Sequence, residues 1–182
     1  MGKTHTFHSC KYKIELIKEK IKTVVLGVGN VLLGDEGIGV HAIRKLKSIK
    51  LPSSVLLVDG STAGFKLLTL FEQFSYCRFI IIDAIELESS YSKGEVFQIP
   101  LDDFYDLNQS DCHNNVFLSF HQTAVIDVLN LFYFISKIKI RGYFIGVNIF
   151  KSGNPTLSFS MKLSKEIEGS LDKIIGVVKR LI

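Results

Sequence analysis

The stretch from Val24 to Gly39 constrains this chain most. It opens as an apolar run, Val24-Val25-Leu26, passes into a turn with glycines at 27, 29, 34, 37 and 39, and sets Asp35 and Glu36 where a helix should begin. Glycine at that density marks backbone that side chains forbid, or backbone that something must approach closely. Strand, glycine turn and helix together suggest a dinucleotide fold, which needs G-x-G-x-x-G, whereas this chain reads G-x-G-x-x-x-x-G. Asp59 can imitate the ribose-binding acid of such a fold. Asp35 and Glu36, however, would stand beside the phosphates, where like charges at ~4 Å cost about 1 to 4 kcal/mol. Their own carboxylates also compete for the helix N-terminus. A nucleotide- or anion-binding module is therefore the weaker reading.

The order of apolar runs supplies the fold class. Thr23 to Val28 is a continuous apolar strand, the kind buried on both faces of a parallel sheet. Ile38, Ala42, Ile43 and Leu46 then mark one face of a helix that ends near Lys47-Ser48, ahead of Pro52. A second strand runs from Ser54 to Val58 and closes on Asp59-Gly60-Ser61-Thr62-Ala63-Gly64. The next helix turns Phe65, Leu68, Leu70, Phe71 and Phe74 inward, and a third strand, Phe79 to Ile82, ends on Asp83-Ala84. This β-α-β-α-β order with short connections calls for a parallel sheet wrapped by helices. Glu95 to Ile99 reads as an antiparallel edge strand, and 101–117 as an excursion of loop and turn. Ser119-Phe120-His121-Gln122 has capping-box spacing and opens a helix running to about Lys137. Gly142 to Val147 is another strand and Leu157 to Met161 a short one. The last helix, Ser164 to Leu181, puts Ile167, Leu171, Ile174, Ile175 and Val178 on one face.

The expected architecture is a single α/β domain at 23–182: a twisted, mostly parallel sheet flanked by helices on both faces, a three-layer sandwich, with 1–22 as an N-terminal extension. Within that extension, 14–21 reads equally as a short amphipathic helix, as a loose leader, or as coding sequence added by a start codon placed too early. At 182 residues and 47% apolar content the chain can bury a core without disulfide support. Cys10, Cys77 and Cys112 form no C-x-x-C pair, and the polar start lacks the apolar core of a secretory signal. A cytoplasmic location is expected. No apolar run reaches the ~18 to 20 residues that cross a bilayer. The net charge is +4, and six lysines lie among the first 22 residues, so the remainder is near neutral and offers no nucleic-acid footprint.

Glu36 follows the first strand, Asp83 closes the third, and His121 sits near the start of a helix. In an open parallel sheet the carboxyl ends of strands and the amino ends of the following helices share one rim. All three side chains are therefore expected along that rim. Two carboxylates and an imidazole suit a borderline divalent metal such as nickel or zinc, with coordination positions left open. Each residue also has a plainer reading: Asp83 as a strand-end cap, His121 as an exposed helix-start residue, and Glu36 as a complement to the helix dipole.

Four blocks resemble the nickel-iron hydrogenase maturation endopeptidases. Gly27 to Val40 is similar to the family's opening motif, Asp59 to Gly64 to its second block, and Ile82-Asp83-Ala84 to its third. Ser119 to Gln122, followed by Asp127-Val128-Leu129, resembles the fourth, and the blocks fall in family order from Val24 to about Val147. The resemblance implies a single α/β domain of the phosphorylase/hydrolase-like sandwich type. It implies an endopeptidase that removes a C-terminal peptide from the hydrogenase large-subunit precursor once nickel is inserted. Carried over residue by residue, Glu36, Asp83 and His121 become the nickel-recognising ligands. The nickel arrives with the precursor and is not permanently bound, and other divalent metals suit the same donors.

Asp35 and Asp59 are candidates for an orienting group or general base. The glycines of the opening stretch are expected to admit a protein tail, and a monomer meeting its precursor transiently is the expected working unit. A nickel chaperone or scaffold without proteolysis is the alternative. Two features depart from the family: the residues before Lys22, and the late strand, where the family's Pro-Glu is replaced by Val147-Asn148-Ile149-Phe150 after Gly146.

Overall fold

Five strands form one sheet in the order β2-β1-β3-β5-β4. They are β1 (Thr23–Val28), β2 (Val55–Ser61), β3 (Arg78–Ile85), β4 (Val96–Pro100) and β5 (Arg141–Asn148). β1 pairs in parallel with β2 and β3, and β3 in parallel with β5, while β4 runs antiparallel along the edge of β5. The helices are α1 (Ile38–Lys47), α2 (Lys66–Phe74), α3 (Val125–Ser136) and α4 (Lys165–Leu181). The computed structural model of the protein describes residues 20–62, 64–87, 90–105, 125–150 and 159–182.

Strand alternation divides the apolar residues between two cores. Val24, Leu26, Phe79, Ile81 and Phe144 face one layer, where Phe71 of α2 and Val128, Leu129 and Phe132 of α3 cover them. Val25, Ile80, Ile82, Ile145 and Val147 face the other, under Ile38, Ile43 and Leu46 of α1 and Ile167, Ile174 and Val178 of α4. The central strands β1 and β3 are buried on both faces, which is why they read as unbroken apolar runs. The expected three-layer α/β architecture is the one observed.

Some boundaries move. β2 reaches Ser61 because its pairing with β1 continues past a register shift at Gly27/Val28. Phe65, expected inside, is 63% exposed, since it sits at the cap of α2 before the amphipathic face begins. The short strand expected over Leu157 to Met161 is, among its described residues, an isolated bridge between Ser160 and Leu33. The capping box at Ser119, the residues 106–124 and the extension 1–19 lie outside the described residues. No helix among the described residues is long and apolar enough to cross a membrane.

The sheet order has one consequence for function. From β1 the chain crosses to β2 on one side, then returns past β1 to β3 on the other. The strand order therefore reverses between β1 and β3, and the rim beyond their carboxyl ends is the usual ligand position in open α/β sheets.

Candidate active site

Glu36 and Asp83 stand at that reversal. After β1 the chain turns sharply, with Asn30 Oδ1 accepting the Leu32 N–H at 3.0 Å and Asn30 O accepting the Leu33 N–H at 3.0 Å. A 3-10 turn, Gly34–Gly37, carries both acids and leads straight into α1. Two glycines decide how close this segment comes to the sheet. A Cβ on Gly39 would lie 2.2 Å from the Ile82 carbonyl oxygen and 2.3 Å from that of Val28, so the first turn of α1 rests directly on the ends of β3 and β1. Gly29, at φ +133°, leaves room for the Glu36 carbonyl, which a Cβ there would meet at 1.9 Å. These glycines are taken up by the chain's own packing, in contrast to the expectation that they admit a protein tail.

The result is two carboxylates brought near each other. Asp83 lies opposite Gly146 in the β3–β5 register, and its Oδ1 accepts the Ala84 N–H at 2.8 Å. Burial pushes its pKa up to about 7; the Ala84 N–H opposes the shift and the Glu36 carboxylate adds to it. The residue keeps some exposed surface while its carboxyl sits enclosed, which puts it where a ligand can reach it and where charge is costly. Such surroundings favour the protonated form of Asp83.

The neighbouring acid is used differently. Asp35 is 7% exposed, and its carboxylate accepts the Ser164 N–H at 2.6 Å on Oδ1 and the Ser164 hydroxyl at 2.9 Å on Oδ2. The Lys93 ammonium lies 2.8 Å from the same Oδ2. Burial raises the Asp35 pKa, but the bonds from Lys93 and Ser164 outweigh it and the net shift is downward. Asp59 is exposed at the end of β2, next to Gly27 of β1 in register, and its Oδ1 accepts the Ser61 N–H at 3.0 Å and hydroxyl at 2.8 Å.

His121 lies outside the described residues. The helix it was expected to open is described from Val125. Because α3 returns to the start of β5 through 137–140, its amino end points toward the rim that carries Glu36 and Asp83. Among the described residues no group of three or more metal-type side chains forms; Glu36 and Asp83 make the pair. Sequence reasoning missed Lys93 and Ser164, because their tie to Asp35 joins segments far apart in the chain.

Comparison with known proteins decides the family. The model of the HycI hydrogenase maturation protease family matches residues 40–180. The chain belongs to the hydrogenase maturation proteases. Membership makes it a hydrolase that cleaves peptide bonds, and sets aside the nucleotide-binding and non-proteolytic readings. The hydrogenase 2 maturation protease of Escherichia coli is 29% identical over 160 residues, covering 87% of this chain and 92% of its own. The solved hydrogenase maturating endopeptidase HybD from E. coli superposes with a TM-score of 0.64 at 27% identity, covering 88% of this chain and 93% of its own. The [NiFe] hydrogenase maturation protease HybD from Thermococcus kodakarensis shares the fold, with a TM-score of 0.64 at 24% identity, covering 88% and 99% of the two chains.

Proposed function

We propose that this maturation protease removes the C-terminal peptide from the precursor of a nickel-iron hydrogenase large subunit after nickel insertion, and that Glu36, Asp83 and His121 recognise the inserted nickel. One observation carries the reading: Glu36 and Asp83, remote in sequence, lie close enough at the sheet's reversal point for the Glu36 carboxylate to help raise the buried Asp83 carboxyl. A carboxyl raised by burial beside a second carboxylate is suited to a divalent cation, which offsets the buried charge and displaces the Asp83 proton.

The nickel belongs to the substrate. Donors on the protease complete the coordination of a metal the precursor already holds, and metal recognition thereby fixes the precursor's tail over the rim. Holding the scissile bond in one geometry converts recognition into proximity, which supplies part of the rate. Asp59, exposed near the end of β2 with one carboxylate oxygen engaged by Ser61, is our candidate to orient water or accept a proton. We assign the step to the cytoplasm and to a monomer. The free, buried Cys77 agrees with a reducing compartment.

The test is incubation of the protein with a nickel-loaded large-subunit precursor, followed by intact-mass spectrometry. Loss of a C-terminal peptide supports the proposal. A precursor left at full mass by active, folded protein contradicts it.

A further inference from the structure

The two neighbouring acids of the opening turn have divided roles, and the division suggests how the site is held. We propose that Asp35, Lys93 and Ser164 form a positioning latch that fixes the Glu36 turn against the end of β3; the proposal rests on reading Glu36 and Asp83 as a metal-facing pair. Asp35 receives donors from two separate elements, Lys93 ahead of β4 and Ser164 at the start of α4. Ser164 occupies the N-cap position of α4, yet its hydroxyl caps nothing in its own helix and goes to Asp35 instead.

Both partners are themselves anchored. On one side of Lys93, the Asn148 side-chain amide donates to Ser92 O at 3.2 Å. On the other, the Gly94 N–H donates to Asn148 O at 2.8 Å and the Ser170 hydroxyl to Gly94 O at 2.6 Å. Lys93 is therefore bracketed by β5 and α4. Just ahead of Ser164, the Gly34 N–H donates to Ser160 O at 2.6 Å, and the Ser160 N–H to Leu32 O at 3.1 Å. The turn bearing Glu36 is thus held by α4, by the segment before β4, and by the sheet ends under Gly39. The latch also seats the Lys93 cation on the acid that does not face Asp83, so that a positive side chain near the rim does not compete with an incoming metal.

Asp35 acts through Glu36, and its test must separate positioning from general stability. Full-length wild type, Asp35→Asn, Lys93→Met and Lys93→Arg are titrated with Ni²⁺ alone by calorimetry under conditions where each is folded. Asp35→Asn and Lys93→Met should weaken Ni²⁺ binding about 10- to 100-fold, the usual loss when the support of a metal ligand is removed. Lys93→Arg should restore it. Leu46→Ala, a buried position in the last turn of α1 away from the Glu36 turn, serves as a destabilised control that keeps wild-type affinity.

Amide hydrogen exchange gives the second reading: Asp35→Asn should speed exchange selectively over Gly34 to Ile38 and at the start of α4. Wild-type Ni²⁺ affinity and unchanged exchange in folded Asp35→Asn overturn the latch. If wild type itself fails to bind free Ni²⁺, the metal reading is judged by cleavage of the nickel-loaded precursor, and the exchange pattern still judges the latch.

Discussion

The Glu36 carboxylate, at the head of α1, lies close enough to Asp83, at the end of β3, to help raise the Asp83 pKa to about 7. Burial supplies the larger share of that shift, so folding itself places a costly charge at the rim. Function explains why a fold would keep it.

Stability should record this cost with a defined sign. Asp83 is raised above its ordinary value of 3.8, so the folded protein binds more protons than the unfolded chain between that value and about 7. Stability contributed by this residue therefore falls as pH rises through that window. Asp83→Asn keeps the acceptor for the Ala84 N–H and removes the charge. Urea unfolding should find it more stable than wild type above neutrality, by on the order of 1 to 3 kcal/mol, and nearly equal to wild type near pH 4.

Asp35 behaves oppositely. Its folded pKa lies below 3.8, so its latch contributes fully above that value and is lost as acid protonates the carboxylate. In Asp35→Asn the decline of stability with falling pH should be shallower than in wild type, which a melting-temperature series in acid will show.

Cation affinity should follow the Asp83 proton. A divalent ion must displace it, so Ni²⁺ binding should strengthen as pH rises through about 7 and release protons to the buffer. Asp83→Asn should abolish this pH dependence in calorimetry, whereas Glu36→Gln should keep it and move it to somewhat lower pH, since burial still raises Asp83. His121→Ala should leave the precursor uncleaved while the protein remains folded by circular dichroism.

Gly39 tests whether the close approach of α1 matters. Its Cβ would meet the Ile82 and Val28 carbonyls at 2.2 and 2.3 Å, backbone that has nowhere to go. Gly39→Ala should cost about 1 to 3 kcal/mol by overpacking. It should also push Glu36 away from Asp83, so cleavage should fall further than the loss of folded protein explains.

Much of this was legible in the sequence for physical reasons. Val24 to Leu26 and Phe79 to Ile82 are buried on both faces, and only continuous apolar runs fit such strands. Strand ends share a rim in any parallel sheet, which is why Glu36 and Asp83 could be paired before the fold was seen. Phe65 was misplaced because apolar periodicity does not reveal that a residue sits at a cap. The partners of Asp35 left no local trace, since Ser164 meets it across 129 positions of chain.

Asn148 shows the same blindness. It ends β5, and at 0% exposure its side chain accepts from the Leu87 and Phe150 N–H groups, both at 3.1 Å. Its amide also donates to Tyr91 O and Ser92 O at 3.3 and 3.2 Å. Asn148→Ala would strand the buried Leu87 N–H, at about 1 to 3 kcal/mol, and release three part-buried groups at less. A large drop in the urea midpoint is expected, with weaker Ni²⁺ binding through the loosened Lys93.

Nickel dependence tests the account most directly. The same precursor, with and without nickel, is incubated with this protein, and its mass is followed over time. The account predicts loss of the C-terminal peptide from the nickel-loaded form alone, and no loss from either form with Glu36→Gln. Equal cleavage of the nickel-free precursor, or undiminished cleavage by Glu36→Gln, would contradict it.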